Sequence, residues 1–542
     1  VPLTAPLDQR WIARHRLTRD EPIVFHLDPG TPEPVRSALL EGASWWRDAF
    51  AAAGFPDGFR VEMLPAGVHP LDARYHVIQW VHRSTRGWSY GGGVLDPRTG
   101  EIVKAYVLLG SFRVRQDRLL FEGLLGVEET GTGSARDPVE LSLARIRQLA
   151  AHEVGHALGL DHNFAASTYG GRASVMDYPA PWVRMGEGGE LDVSSVYGVG
   201  VGSWDRHAIR YGYAPLPEGR REEALTEIVE EGLEAGLLFI ADPDARPAGS
   251  AHPLASLWDN GPDPVAELDR VMAVRETALA RFGERNLAAG RPLSLLHEVL
   301  VPVYLYHRYQ LEAAAKSIGG VAFTYAVRGD GQPPAAPVPA EAQRAALAAV
   351  LRALEPEALD LPEPVLALLL PRPPGHPVNR ERFQGDSDPV FDPLSAAAAA
   401  ADVAVDPLLE PHRAARLVDQ HRRDENLPSL VELLDDLVAA AFEGEGEPER
   451  LAEIRRTVQA VVVSGLIELA GSGQASPAVR SRVEGALRSL SARLSETPVS
   501  GVERDHRLYL VREITSYFER PGPVFPGLPQ PPEPPPGSPI GG

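Results

Sequence analysis

The sequence predicts an α/β (α+β) domain in its first half and a mostly α-helical region in its second half. Two observations indicate this division. Five short apolar runs between Ile23 and Leu109 are bounded by turn residues, as strands are. Beyond Tyr213, apolar residues recur at helical spacing in segments rich in Ala, Leu, Arg and Glu. A chain of 542 residues has room for two to four such units.

The first half alternates strands and helices in a definite order. The first strand is followed by an amphipathic helix over Pro34–Ala53, which ends at Gly54. The last two strands are expected to pair as a hairpin across Asp96–Gly100. A helical connector and a long helix over Leu141–Leu160 come next. The five predicted strands are Ile23–Leu27, Phe59–Leu64, Tyr75–Val81, Ser89–Leu95 and Ile102–Leu109.

The long helix carries the pattern H-E-x-x-H-x-x-G-x-x-H between His152 and His162. His152 and His156 are one helical turn apart, so their side chains point the same way. Gly159 can adopt the left-handed conformation that ends a helix and lets the chain return with His162. Three nitrogens leave the fourth position of a tetrahedral zinc ion open, as in catalytic zinc sites. The pattern therefore predicts one catalytic Zn²⁺ on these three histidines.

Glu153 lies beside the first histidine but is rotated off the line of the ligands. It can therefore reach a water molecule on the metal without binding the metal itself. Zinc lowers the pKa of such a water towards neutrality and polarises a carbonyl group. We expect Glu153 to take the proton from the water and pass it to the leaving amine.

A Ser-x-Met turn follows the histidine motif, in the segment Ser174–Pro179. The combination of the two resembles the metzincin clan of zinc endopeptidases. In that clan a methionine turn forms an apolar floor beneath the histidines, which implies this role for Met176. Tyr178 lies two residues further on, as in the astacin-like and serralysin-like branches, where the tyrosine is a fifth metal contact or a donor to the tetrahedral intermediate. The alternative for Tyr178 is an aromatic residue at the rim of the site.

More closely, residues from about Pro22 to Tyr213 are similar to the catalytic domain of a family of large bacterial zinc-dependent metzincin-like proteins. The resemblance implies a metzincin-type domain with a twisted, mixed five-stranded sheet and an active-site helix. It weakens in the helical C-terminal half. The segments that carry it are Phe25–Pro32, Trp80–Tyr90, Asp96–Ile102, His162–Phe164 and Tyr211–Tyr213.

In metzincins the edge strand of the sheet holds the substrate backbone in extended form. The order of elements assigns this strand to Trp88–Val94, where Gly91–Gly93 would let a peptide approach closely. A flexible surface hairpin is the alternative. The stretch after Met176 is expected to wall the specificity pocket. The predicted substrate-binding residues are Trp88, Ser89, Tyr90, Gly91, Pro179 and Trp182.

Composition limits the partners and the compartment. A formal charge of −21 disfavours nucleic acid or an anionic membrane as the main partner. The resemblance to zinc endopeptidases implies a peptide or protein substrate. There is no cysteine and no apolar run long enough for a transmembrane helix. The chain begins at Val1 without a leader, so we expect an extracytoplasmic protein, secreted or periplasmic, whose targeting segment is not part of this sequence. The sequence does not predict an oligomeric state.

These features suggest five segments. The predicted boundaries are residues 1–20 for the remnant of an upstream region, 21–215 for the metzincin-type catalytic domain, 216–332 for a helical extension packed on it, 333–520 for an α-helical C-terminal domain, and 521–542 for a Pro/Gly-rich disordered tail.

The sequence leaves three functions open. The first is a zinc endopeptidase. The second is a catalytically inactive or structural metzincin-like binding module in a larger secreted assembly. The third is a zinc hydrolase that acts on a non-peptide amide. An intact Glu153 favours an enzyme, because a structural zinc site needs neither this carboxylate nor an open metal position.

Overall fold

The computed structural model describes residues 10–83, 87–376, 379–444, 447–496, 498–519 and 532–537. Residues 1–9 of the predicted upstream remnant lie outside the described residues, and so do Ser84–Arg86 in the segment Trp80–Tyr90. The predicted disordered tail, residues 521–542, also lies outside them except for 532–537.

The first half contains the mixed five-stranded sheet that the sequence predicts. Its strands lie in the order β2-β1-β3-β5-β4. β4 runs antiparallel to β5, and the other neighbours in the sheet are parallel. The expected hairpin is confirmed, and β4 is an edge strand as expected. The strands are β1 (Ile23–Leu27), β2 (Phe59–Met63), β3 (His76–Val81), β4 (Tyr90–Leu95) and β5 (Ile102–Gly110).

Five helices accompany the sheet. Apolar residues of the sheet and of the helices that flank it form one buried cluster. α1 crosses α4 so closely that a Cβ atom on Gly42 would lie 2.0 Å from the Arg147 carbonyl oxygen. The helices are α1 (Val35–Ser44), α2 (Trp46–Ala52), α3 (Phe112–Leu125), α4 (Pro138–Ala157) and α5 (Ser203–Tyr213).

Helix α4 begins three residues earlier than the sequence analysis placed it. Asp137 caps its first turn by accepting a hydrogen bond from the Val139 amide at 2.8 Å, and Pro138 occupies the first helical position. Its carboxyl end is held by the Tyr213 hydroxyl, which donates to the Leu158 carbonyl oxygen at 2.8 Å. The chain then turns at Gly159, whose φ is +96°.

The second half is mostly helical, as predicted. A second, larger apolar cluster extends from α3 through the C-terminal helices, so the two halves share a core. The helices are α6 (Arg221–Glu234), α7 (Asp242–Ala245), α8 (Pro264–Ala280), α9 (Leu296–Tyr304), α10 (Arg308–Lys316), α11 (Ala340–Arg352), α12 (Pro356–Leu359), α13 (Glu363–Leu366), α14 (Pro393–Leu408), α15 (Pro411–Arg423), α16 (Leu430–Phe442), α17 (Glu449–Gly471), α18 (Pro477–Glu496) and α19 (Gly501–Glu519).

The pattern of Leu293–Ile318 predicts one long helix, and the structure shows that this prediction is wrong. A 3₁₀ turn at Leu293–Leu295 precedes α9, and a break separates α9 from α10. Pro302 lies inside α9 and lacks the N–H that helical bonding requires. At the break the backbone bonds tighten to a three-residue spacing, with the amide of Tyr306 on the Val303 carbonyl.

The remaining regular elements are small. Two further 3₁₀ turns lie at Ala166–Thr168 and Glu284–Asn286. Two antiparallel pairs are formed by β6 (Arg184–Met185) with β7 (Leu191–Asp192), and by β8 (Val321–Ala322) with β9 (Ala336–Pro337). Among the helices of the described residues, none combines the length and the apolar character that a membrane span needs.

Candidate metal centre

Three histidines converge at the carboxyl end of α4. The Nε2 atom of His156 lies 3.1 Å from Nε2 of His152 and 3.1 Å from Nε2 of His162. The first two residues sit one turn apart on α4, and the third follows the turn at Gly159. A Cβ atom on Gly159 would lie 2.1 Å from the Ala13 carbonyl oxygen, so only glycine fits this turn. The structure thus brings together the three residues that the sequence proposes as ligands.

The Nδ1 atom of each of these three rings already has a hydrogen-bond acceptor. Nδ1 of His152 lies 2.6 Å from the Val175 carbonyl oxygen, and Nδ1 of His156 lies 2.8 Å from that of Leu160. Nδ1 of His162 lies 2.8 Å from an oxygen of Asp242. All three partners are acceptors, so each ring carries its proton on Nδ1 and presents the lone pair of Nε2 to the other two.

This arrangement fits a zinc ion. Zinc–nitrogen bonds of 2.0–2.1 Å in tetrahedral geometry place ligand nitrogens roughly 3.3 Å apart, close to the 3.1 Å separations found here. Burial lowers the pKa of His152 well below its usual value and that of His156 to about 4. Both rings are therefore neutral near pH 7, as metal ligands must be.

Glu153 is buried next to the first ligand and beneath the edge strand. A Cβ atom on Gly91 would lie 1.9 Å from the Glu153 carbonyl oxygen, so the glycine lets β4 pass directly over α4. Burial raises the pKa of the Glu153 carboxyl to about 8, against the charges of Arg113 and Arg145 and a hydrogen bond from the Gly91 amide. Its Oε1 atom has no hydrogen-bond partner among the described residues, so it can accept one from a bound molecule.

Met176 lies under the histidines and is fully buried. A Cβ atom on Gly155 would lie 2.2 Å from the Met176 sulfur, which shows that the glycine between the first two ligands makes room for the methionine. Asp205 of α5 holds this turn from the other side. It accepts hydrogen bonds from the Ser174 hydroxyl at 2.6 Å and from the Val175 amide at 2.9 Å.

Tyr178 packs against the ligands. Its ring centroid lies 5.2 Å from that of His152 and 4.7 Å from that of His162, and it stacks on Trp258 at 4.9 Å. The Tyr178 hydroxyl accepts a hydrogen bond from Arg246 at 2.8 Å. Burial raises the pKa of Tyr178 to about 12 even though Arg246 opposes the shift, so the hydroxyl keeps its proton near pH 7.

Asp242 and Arg246 complete the outer side of the site, and sequence reasoning missed both. Asp242 begins α7, eighty residues after His162. Arg246 donates to the second oxygen of this carboxylate as well as to Tyr178. Although burial opposes it, the hydrogen bonds from His162 and Arg246 hold the pKa of Asp242 at about 2. The carboxylate is therefore ionised and orients the third ligand.

The predicted substrate-binding residues have different surroundings. Trp88 and Tyr90 are exposed on and beside the edge strand, which leaves their rings free to meet a bound chain. Ser89 is fully buried, and its hydroxyl accepts a long hydrogen bond from the Gly110 amide at 3.4 Å. Its side chain does not join the others at the cleft.

The two predicted residues after the methionine turn also have different surroundings. Pro179 lines a cavity next to the site, together with Ala180 and Pro181. Trp182 instead lies between two guanidinium groups, with Arg172 5.0 Å and Arg184 5.8 Å from its ring centroid.

Sequence reasoning missed the residues that support the ligands from a distance. Asp205, Asp242, Arg246 and Trp258 lie in later segments of the chain, and no short motif links them to the histidines. The one available signal was Asp242-Pro243, an acidic residue followed by proline in the first turn of a helix. That signal places a helix start but not a contact with His162. Tyr306 lines the cavity beside Pro179 and donates to the Pro181 carbonyl oxygen at 3.1 Å.

Comparison with known proteins adds a family to this geometry. A family model described as Met-zincin matches residues 134–448, more than half of the chain. The matched segment contains all three histidines, the methionine turn, Asp242 and Arg246. Neither the curated proteins nor the solved structures gave a match.

Proposed function

The chain belongs to the Met-zincin family, and from this premise we propose that it is a zinc-dependent endopeptidase with Glu153 as general base and acid. The family match and the histidine cluster together indicate a zinc metalloprotease-type domain. The endopeptidase activity, its single zinc ion and its extracytoplasmic location are the proposal. Its substrate is a peptide or protein.

One observation carries the proposal: three Nε2 atoms converge while every Nδ1 atom is held by an acceptor. His152, His156 and His162 are the residues that would hold the zinc ion. Zinc supplies Lewis-acid chemistry there, because it polarises a carbonyl oxygen and makes a water molecule more acidic. Three protein ligands leave a position for substrate, which a structural site would not keep.

Glu153 supports the catalytic part of the proposal by its position. Its carboxylate is buried beside the ligands and retains an oxygen without a hydrogen-bond partner among the described residues. In its ionised form, which Arg113, Arg145 and the Gly91 amide favour, it takes the proton of the attacking water and returns it to the nitrogen of the leaving amine. General acid–base catalysis of this kind contributes roughly 10²–10⁴ in rate. Tyr178 keeps its proton and can donate a hydrogen bond to the developing oxyanion.

The edge strand supports a peptide as the substrate. β4 pairs with β5 on one side only, so its other side offers backbone donors and acceptors to an extended chain. Because β4 passes directly over Glu153 at Gly91, a chain bound along it runs past the ligands.

Metal analysis combined with peptide cleavage tests the proposal. The full chain is incubated with a degenerate peptide library, with and without a chelator, and bound zinc is measured. Glu153→Gln should keep zinc and lose cleavage, whereas His156→Ala should lose both. Glu140→Gln on the exposed side of α4 and His69→Ala on the surface are matched controls that should change neither.

The outcomes separate the competing functions. Zinc binding without cleavage of any peptide indicates the inactive binding module. Cleavage of simple amides without cleavage of the peptide library indicates the non-peptide hydrolase. Full activity of Glu153→Gln refutes the assigned mechanism.

A further inference from the structure

A cavity of about 90 Å³ lies beside the metal centre. Its walls come from α3, from the first turns of α4, from the segment Pro179–Pro181, and from the break between α9 and α10. A cavity needs roughly 10–15 Å³ of such volume to hold one water molecule, so this one has room for several water molecules or one polar side chain. Pro536 and Gly537 also line it, where Arg308 donates to the Pro535 carbonyl oxygen at 2.6 Å.

The cavity adjoins the catalytic residues. Pro179 directly follows Tyr178, and Trp258 of the cavity wall stacks on the Tyr178 ring. Arg145 of the wall lies two turns before His152 on the same helix. Arg113 and Arg145 of the wall both act electrostatically on Glu153, so the cavity lies near the general base of the proposed function.

Arg113 lines this cavity and is only 1 % exposed. All three of its side-chain nitrogens are buried, and among the described residues none accepts a hydrogen bond from them. Burial of a charge without hydrogen bonds is costly, so proteins rarely keep such a group without a use for it. The guanidinium offers up to five donors that can bind a carboxylate in a bidentate manner.

The carboxyl groups of Asp117 and Glu153 attract Arg113 through space, but neither accepts a hydrogen bond from it. The Glu298 carboxylate in the cavity wall is already bonded to Arg115 and Arg372, and Glu381 to Arg115. Asp117 lies one turn further along α3 and attracts Arg113 through space. Arg145 adds a second positive charge, and its guanidinium lies 5.8 Å from the centre of the Trp258 ring.

We propose that this cavity is the subsite for the residue that follows the scissile bond, and that Arg113 selects an aspartate or glutamate side chain there. The inference rests on the proposed endopeptidase function and specifies its substrate class. A carboxylate entering the cavity would complete the hydrogen bonds that Arg113 lacks. An amide of the same size offers one acceptor oxygen and no charge, so it would satisfy the guanidinium less well.

The test is the cleavage preference of the full, zinc-loaded chain. Mass spectrometry of the cleaved library gives the frequency of each residue after the cut. A matched pair of peptides that differ only in Glu or Gln at that position then gives a ratio of kcat/KM. We expect the Glu peptide to be preferred by about tenfold or more.

Two variants of Arg113 keep the test interpretable. Arg113→Met has a similar length and no charge, and it should reduce the Glu/Gln ratio to about one while raising the melting temperature, since it removes a buried charge that makes no hydrogen bond. Arg113→Lys keeps the charge but not the bidentate geometry, and it should retain part of the preference.

Arg275→Met is the matched control. Arg275 is equally buried but donates to the carbonyl oxygens of Tyr304 and Ala358 at 2.6 and 2.7 Å, and it does not line the cavity. This variant should lower the melting temperature and leave the Glu/Gln ratio unchanged.

The outcomes distinguish the two proposals. A ratio near one in the unmodified protein, or a ratio that Arg113→Met leaves unchanged, overturns the acidic subsite while the endopeptidase function stands. Failure of the zinc-loaded protein to cut any peptide overturns the endopeptidase function and this subsite with it.

Discussion

Asp242→Ala should lower the affinity for zinc without removing a ligand. The Asp242 carboxylate accepts the hydrogen bond of His162 Nδ1 at 2.8 Å and is bonded to Arg246 on its other oxygen. Loss of such a partner frees the ring to rotate and makes its metal-binding nitrogen less basic. Removal of an outer hydrogen-bond partner of a metal ligand typically costs 10- to 100-fold in metal affinity.

The surroundings of Asp242 indicate where in this range of affinity loss the variant should fall. Hydrogen bonds from His162 and Arg246 take the pKa of Asp242 from 3.8 to about 2 against the effect of burial, which corresponds to roughly 2.4 kcal/mol. The side chain is 35 % exposed, so solvent screening reduces this value. Because Arg246 shares this carboxylate with His162, we take the lower end of the range, roughly a tenfold rise in the dissociation constant for zinc.

Competition with a chromogenic chelator measures this constant directly. Asp244→Ala is the matched control, because Asp244 lies on the same short helix and accepts a hydrogen bond from Tyr325 at 2.6 Å. The control should leave zinc affinity within twofold. Equal affinities of Asp242→Ala and the unmodified chain would refute the view that this carboxylate orients the third ligand.

Two further predictions concern the support of the site. Gly155→Ala should lower both the melting temperature and zinc affinity, because its Cβ atom would lie 2.2 Å from the Met176 sulfur. The control is Gly485→Ala in α18, where nothing lies within 4 Å of the added carbon, and it should raise the melting temperature slightly. Equal effects of the two substitutions would contradict the packing argument. Burial raises the pKa of Asp259 to about 7, so the folded state binds the extra proton, and stability should fall as the pH rises from about 4 to 7, by at most about 1.4 kcal/mol per pH unit. Asp259→Asn, which still accepts from Ser167, should weaken this decline in melting experiments across that range, while Asp177, whose pKa burial also raises, keeps part of it. An unchanged pH dependence would contradict the prediction.

The histidine cluster was predictable because helix geometry alone fixes most of it. His152 and His156 fall on one face of α4 at a spacing of one turn, and Gly159 is the residue type that a left-handed turn prefers. The strands were predictable for a similar reason, since each is a short apolar run between turn residues. Sequence patterns are sufficient for prediction where residues that are close in the sequence also contact each other in the fold.

The supporting residues could not be predicted because their contacts cross long stretches of chain. Asp242 reaches His162 across eighty residues, and Tyr178 meets Trp258 across a similar distance. The break between α9 and α10 shows a different limit. Pro302 was visible in the sequence, but whether proline bends a helix or ends it depends on the packing around it.

The site therefore depends on both halves of the fold. The cluster built on the sheet supplies α4 and the methionine beneath its ligands. A separate small apolar cluster joins Phe164 and Tyr178 to Ile240 and Trp258, which belong to the segment after α5. Through this cluster the later segment places Asp242 and Arg246 against the third histidine and the tyrosine. Because these contacts fix the orientation of His162, the segment after α5 acts as part of the metal centre and not only as a scaffold around it.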